Sequence, residues 1–166
     1  IKELIENSID ASATNIEVEI GDGGVAYMRI TDNGIGMTEE DARLAILRHA
    51  TSKIQHVEDL FDIASLGFRG EALASIASVS HFSMTTRKAD ADLGTRITVD
   101  GGTFTDCIPY GAAPGTTIEI RDLFYNTPAR RKFLKTERTE SSKIQDIVGK
   151  LALSNPHISF KLIIDD

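Results

Sequence analysis

The 166-residue chain has a single cysteine and lacks any long apolar run. One cysteine, Cys107, excludes an intramolecular disulfide, so the sequence predicts a protein of a reducing compartment. No apolar run approaches the ~18 residues that a membrane-spanning helix needs, and no signal-peptide pattern precedes the first helical pattern. We therefore expect a cytoplasmic location in a bacterium, or a nuclear one in a eukaryote.

Basic residues are also in the minority: 18 Lys and Arg stand against 25 Asp and Glu, a net charge of −7. A domain that holds nucleic acid by its own surface is usually basic, so this balance disfavours an autonomous DNA-binding module. The local exception is the basic run 130–132, followed by Lys135 and Arg138. Its simplest interpretation is a solvated face, and the alternative is a surface that faces DNA or a partner in the full-length protein.

Hydrophobic periodicity predicts a mixed succession of helices and strands. Helical patterns occur at 1–11, 38–47, 57–63, 72–78, 129–134 and 140–154. Strand patterns occur at 15–21, 25–31, 79–86, 95–99, 103–108, 115–121 and 158–164. In the helix after the Thr38 N-cap, the expected buried residues are Leu44, Ile46 and Leu47. This order predicts a single α+β domain, a two-layer sandwich with helices on one face of a mostly antiparallel mixed sheet.

The first helical pattern, 1–11, divides into two faces at about 100° per residue. One face is apolar and includes Ser8, whereas the opposite face carries Glu3, Asn7 and Asp10. The apolar face requires a core to pack against. The polar column is either a solvated surface or a site for chemistry, and the sequence further along the chain favours the second interpretation.

Glycine-containing loops follow at three junctions between predicted elements, 32–37, 67–71 and 111–116. Glycine lets the backbone approach a ligand closely, and the free amides of a helix N-terminus attract phosphate. The P-loop and dinucleotide-binding glycine spacings are both absent. A phosphate site on this chain would therefore follow another design.

Taken in order, these patterns resemble the GHKL (Bergerat-fold) ATPases. The matching motifs are E-x-x-x-N at 3–7, D-x-G-x-G at 32–36, GFRGEAL at 67–73 and GTT at 115–117. That superfamily takes in gyrase B subunits, ninety-kilodalton heat-shock chaperones, sensor histidine kinases and MutL proteins. Within it, KELIENSIDA, RHATSK, SLGFRGEALASI and DLFYNTPARRKFLK resemble the MutL DNA mismatch-repair ATPases. A histidine kinase is disfavoured because nothing resembles a phospho-acceptor helix.

The resemblance implies a site for ATP and Mg²⁺. Glu3 would be the general base that activates water, and the side-chain oxygen of Asn7 would bind Mg²⁺. Asp32 would accept the adenine amino group and reject guanine, which presents a carbonyl there. The implied nucleotide-binding residues are Asn7, Asp32, Gly34, Gly36, Met37, Thr51, Gly67, Phe68, Arg69, Gly70, Glu71 and Thr116. Residues 67–70 would form part of a lid over the triphosphate.

Several residues near these motifs keep a structural alternative. Asp10 is better explained as a tie between its helix and a neighbour, and His49 as a local hydrogen-bonder. Arg69 either binds phosphate or pairs with Glu71, and residues 51–53 either cradle phosphate or cap a helix. Packing or loop anchoring is the simpler interpretation for Cys107, Phe124 and Tyr125.

The resemblance also predicts what surrounds this domain. The family has an N-terminal arm before the glutamate and a second, transducer domain that supplies a lysine to the γ-phosphate. We expect both to lie outside residues 1–166, so this chain would be a weak ATPase by itself. In the full-length protein, nucleotide state would control dimerisation with a MutL-like partner and recruitment of a MutS-like mismatch-recognition protein, and DNA would bind through the whole assembly. The alternative is a nucleotide-sensing, partner-binding module without useful hydrolysis.

Overall fold

A seven-stranded mixed sheet is the largest structural unit of the described residues. The computed structural model describes residues 1–47 and 69–165, with Arg69 and Gly70 described in their backbone only. The helices are α1 (Lys2–Asp10), α2 (Glu39–Ile46), α3 (Arg69–Ala77), α4 (Pro128–Arg131) and α5 (Glu137–Ser154). The strands are β1 (Asn15–Gly21), β2 (Tyr27–Asp32), β3 (His81–Arg87), β4 (Gly94–Asp100), β5 (Thr103–Tyr110), β6 (Gly115–Arg121) and β7 (Ser159–Ile164).

The strand order in the sheet is β5-β4-β3-β6-β2-β1-β7. Neighbouring strands run antiparallel except β1 and β7, which pair in parallel. A short 3-10 turn, Asp22–Gly24, joins β1 to β2, and α5 packs on this turn and on β7. The predicted α+β class with a mostly antiparallel mixed sheet is confirmed.

Alternation along the strands gives the sheet one apolar and one polar face. In β1, Ile16 and Val18 are fully buried, whereas Glu17 and Glu19 project to the other face. There Arg29 of β2 lies 2.5 Å from Glu19 and 3.8 Å from Glu17. A period of two residues places successive side chains on opposite faces, so the buried residues of β1 share one face of the sheet and join the helices in one core.

The helical layer is assembled from amphipathic faces. Leu4 and Ile5 of α1 are buried in the core, α1 packs against α3, and α3 packs against α2. On α5, Ile144 and Val148 face the same core. Within the described ranges, no helix combines the length and apolar composition needed to cross a membrane.

The structure corrects details of the predicted helices. Leu47 is 53% exposed, because α2 ends at Ile46 and Leu47 adopts an extended backbone. Leu44, also predicted to be buried, is only half-buried. The predicted Thr38 cap is confirmed, since its side chain accepts a hydrogen bond from the Asp41 N–H at 3.2 Å. The predicted helix at 57–63 lies outside the described residues.

Three further helices differ from their predicted bounds, and the first is α3 (Arg69–Ala77), which begins three residues before the helix predicted at 72–78. The helix predicted at 129–134 ends at Arg131, so it is a single turn. The following helix begins at Glu137 rather than at residue 140, because the Thr136 side chain caps it by accepting from the Thr139 N–H. Side-chain capping of this kind starts a helix earlier than hydrophobic periodicity alone indicates.

We expect Gly115→Ala to destabilise the fold by on the order of 2 kcal/mol or more, because Gly115 has a φ of +119° and a Cβ there would overlap the Asp32 carbonyl. Chemical denaturation of the variant measures this change. Gly111→Ala is the matched control, since a Cβ on Gly111 meets nothing within 4 Å. Similar losses in the two variants would contradict a specific need for glycine at 115.

Candidate functional site

A row of polar residues lies at one end of the core face of the sheet, where the apolar side chains stop. On this face the apolar pairs of β2, β6 and β3, such as Ile30 with Ile118, are followed by one polar residue on each strand. Asp32 of β2 pairs with Thr116 of β6, and Thr116 pairs with Thr86 of β3. Directly opposed residues share a face, so the strand register brings three polar side chains together beneath the helices.

Asp32 is the charged member of this row and is only 8% exposed. Its Oδ2 accepts a hydrogen bond from the Ser8 hydroxyl at 2.7 Å, and its Oδ1 accepts one from the Gly34 N–H at 2.9 Å. Burial raises the pKa of the Asp32 carboxyl, and hydrogen bonds from Ser8, Gly34 and the Thr116 backbone oppose that rise. The result is a buried carboxylate held by fixed donors.

The loop after Asp32 depends on two glycines for its path. A Cβ on Gly34 would lie 2.7 Å from the carbonyl oxygen of Ala11, to which the Ile35 N–H donates at 2.9 Å. Gly36 has a φ of +66° and lies directly against the backbone carbonyl of Arg87. The loop therefore packs on the end of α1 and on the end of β3.

Thr86 joins this loop to the polar row. The hydroxyl of this 1%-exposed residue accepts a hydrogen bond from the Met37 N–H at 2.9 Å. It also lies 2.9 Å from the Thr116 hydroxyl and donates to the Gly115 carbonyl at 3.2 Å. Among the predicted site residues, Asp32, Gly34, Gly36, Met37 and Thr116 are thus in one place.

Two residues of this network were missed by sequence reasoning. The periodicity places Ser8 on the apolar face of its helix, and it marks Thr86 only as the end of a strand pattern. The signal for both was a hydroxyl at a position whose neighbours in the pattern are core residues. A buried hydroxyl needs a partner, and in each case the partner belongs to the site.

Glu3 and Asn7 are half-buried and lie one turn apart on α1. In the described ranges, neither side chain forms a hydrogen bond or a salt bridge, so both keep polar atoms available to a ligand. The amide oxygen of Asn7 suits Mg²⁺, a cation that prefers oxygen ligands and retains several waters. Asp10, on the same helix, is exposed.

The predicted lid is described only in part. Thr51, Gly67 and Phe68 lie outside the described residues, and so does His49. Arg69 and Gly70 begin α3, and Glu71 is exposed in its first turn. Phosphate contacts by this segment stay a prediction.

The basic run lies on the surface. Arg130, Arg131 and Lys132 are exposed, as are Lys135 and Arg138. The intervening Phe133 is 84% exposed, which is unusual for a large apolar side chain.

Comparison with known proteins gives sequence relatives over the whole chain. Residues 1–103 match the family described as histidine kinase-, DNA gyrase B- and HSP90-like ATPase. The DNA mismatch repair protein MutL of Thermoanaerobacter pseudethanolicus is 56% identical over 165 residues, 99% of this chain and 27% of that protein. The MutL of Xanthomonas axonopodis pv. citri is 51% identical over 98% of this chain and 26% of its own length. The chain therefore spans about a quarter of these curated relatives.

Solved structures show the same fold. The Aquifex aeolicus MutL ATPase domain complexed with ADP superposes with a TM-score of 0.76 at 38% identity, covering 99% of this chain and 57% of that one. The N-terminal domain of a DNA repair protein superposes with a TM-score of 0.79 at 33% identity, covering 98% and 48% respectively.

We expect Asp32→Asn to keep or raise the melting temperature at neutral pH, because an amide avoids burying a charge and still matches Gly34 and Ser8. The folded-state pKa of Asp32 is raised, so its charge costs stability above that pKa, and the cost disappears as pH falls through it. The difference from wild type should therefore shrink on acidification. Thermal melts from about pH 7 to about pH 4 test this.

Asp92→Asn, an exposed residue, is the control for that series. A clear drop in the melting temperature of Asp32→Asn at neutral pH would instead mean that the buried charge stabilises the fold.

Proposed function

Because the chain belongs to the family of histidine kinase-, DNA gyrase B- and HSP90-like ATPases, we propose that it is the Mg-ATP-binding domain of a MutL-type mismatch-repair protein. The resemblance to MutL read from the motifs is confirmed by the sequence relatives. The ADP complex of the Aquifex aeolicus domain supports nucleotide binding by this fold. Mismatch repair is an activity of the whole protein, of which this chain is one part.

The buried carboxylate of Asp32 is the observation that carries the proposal. Its two oxygens are oriented by Ser8 and Gly34 and retain lone pairs for a ligand donor. The exocyclic amino group of adenine is such a donor, whereas guanine presents a carbonyl oxygen at that position. An ionised acceptor facing a carbonyl leaves two buried groups unpaired, so we propose that the site selects ATP over GTP.

We propose that α1 supplies the hydrolytic residues. Glu3 would orient and deprotonate the attacking water, and Asn7 would hold Mg²⁺ through its amide oxygen. When bound, the metal supplies charge neutralisation at the phosphates. Gly34, Gly36, Met37 and Thr116 would complete the pocket around the base. Thr51 and residues 67–71 would contribute to the phosphate side.

At the level of the whole protein, we propose that nucleotide state controls dimerisation and recruitment of a mismatch-recognition partner. A first arm and a second domain beyond residues 1–166 would complete the catalytic site, so hydrolysis by this chain alone would be slow. The coverage of about a quarter of the MutL relatives supports this division.

A second proposal concerns the basic run, because its cations are exposed around an exposed Phe133. This surface could meet the phosphate backbone of DNA within the intact assembly. The net charge of −7 makes it a contributor to binding rather than an autonomous DNA-binding module.

We expect the chain to bind a non-hydrolysable ATP analogue with Mg²⁺ and to discriminate against the GTP analogue. Asp32→Asn should lose about ten-fold or more in affinity for the ATP analogue, since a hydrogen bond to a charged group is worth ~1.5–3 kcal/mol. Isothermal titration calorimetry measures both effects. Binding that is equal for the two analogues would contradict the proposed role of Asp32.

We also expect Glu3→Ala to abolish most phosphate release while retaining nucleotide affinity. A positioned general base contributes about 10² to 10⁴ in rate. Nucleotide affinity should be retained because Glu3 is not among the residues proposed to surround the adenine. Single-turnover phosphate release beside the calorimetric titration separates the two effects. A turnover rate unaffected by Glu3→Ala would show that another group is the base, and no turnover in wild type would favour a nucleotide-sensing module.

A further inference from the structure

We propose that Ser8 is a specificity-determining residue for the nucleobase: its hydroxyl fixes the Asp32 carboxylate as an acceptor oriented toward an amino group. This inference rests on the proposed function. It concerns a residue that touches Asp32 rather than the reacting atoms, so Ser8 is a positioning residue.

The proton of the Ser8 hydroxyl has two acceptors within reach. The Asp32 Oδ2 lies 2.7 Å away and the Leu4 carbonyl oxygen lies 3.3 Å away. The shorter contact is also the charge-assisted one, so the proton is directed mainly at Asp32. Ser8 is 4% exposed, which excludes bulk water as a competing partner.

Two fixed donors define the orientation of the carboxylate. Gly34 N–H binds Oδ1 at 2.9 Å from the loop, and Ser8 binds Oδ2 from the helix. With a donor on each oxygen, rotation about the Cβ–Cγ bond breaks at least one hydrogen bond. Loss of the Ser8 donor removes this constraint on one side and leaves the carboxylate free to turn.

Ser8 also favours the ionised form of the carboxyl. Its hydrogen bond lowers the pKa of Asp32 against the rise that burial causes. A protonated carboxyl would present an O–H donor, which suits the carbonyl oxygen of guanine as well as a base nitrogen. The hydroxyl therefore opposes both the wrong rotamer and the wrong protonation state, and each of these would reduce discrimination between adenine and guanine.

The test is the ratio of the affinities for the Mg-bound ATP and GTP analogues. In Ser8→Ala we expect affinity for the ATP analogue to fall about ten-fold, with affinity for the GTP analogue unchanged or increased, so the ratio falls about ten-fold or more. Ser80→Ala is the matched control, because it also removes a buried hydroxyl. The Ser80 hydroxyl donates to the Ile76 carbonyl at 2.7 Å, and it precedes β3, whose far end carries Thr86 of the site. The control should keep the wild-type ratio.

A double-mutant cycle tests whether Ser8 acts through Asp32. In an Asp32→Asn background, adding Ser8→Ala should leave the ratio within about two-fold of the single variant. If Ser8→Ala fails to fold, Ser8→Cys replaces it in the test. The cysteine side chain has a similar volume and a weaker donor, so this variant should also lower the ratio of the two affinities.

The outcomes are distinct. A wild-type chain that binds neither analogue, or both equally, overturns the proposed function and this inference with it. A selective wild type whose ratio survives Ser8→Ala and Ser8→Cys overturns the inference alone. Equal loss of affinity for both analogues would assign Ser8 to packing, which also overturns it.

Discussion

The buried Asp32 carboxylate is the constraint on which the rest of the site depends. A charge removed from water is costly unless it is paired or hydrogen-bonded, and here the donors come from α1, the glycine loop and β6. These three parts of the chain must therefore keep their relative positions for the charge to be tolerated. The interaction that would recognise a ligand also determines how a helix, a loop and a strand meet.

The loop after Asp32 and the strands β2, β3 and β6 can pack together because their backbones approach each other closely. Gly36 and Gly115 both have positive φ angles, and each lies against a backbone carbonyl of a neighbouring segment. Side chains at these positions would push the loop away from β3, or β6 away from the end of β2. The buried hydroxyl of Thr86 then satisfies the Met37 N–H of the tightened loop. The glycines therefore allow the close contact between these backbone segments, and the Thr86 hydroxyl satisfies the N–H that this contact buries.

Much of the fold was predictable because periodicity is local. The alternation in β1 and the two-faced pattern of α1 need no knowledge of distant residues, and both were predicted within about two residues. Asp32 could be selected only through resemblance, since a D-x-G-x-G pattern alone is weak. The sequence does not reveal the roles of Ser8 and Thr86, because the partner of Ser8 depends on how α1 packs on the sheet and that of Thr86 on which strand lies beside β3. The periodicity of a single element does not contain either kind of information. The earlier start of α5 depends on a cap that periodicity also ignores.

The geometry of α1 explains how one short helix serves two purposes. Consecutive helical residues point about 100° apart, so Asn7 and Ser8 leave the same turn in different directions. Ser8 faces inward and binds Asp32, whereas Asn7 and Glu3 occupy the half-buried polar side. A rotation of α1 would move all three side chains together. The buried Leu4 and Ile5 hold α1 on the sheet, and the Ser8–Asp32 hydrogen bond joins this helix to the strand that carries the residue proposed for base recognition. One helix thus carries both the residues proposed for hydrolysis and the donor that orients Asp32.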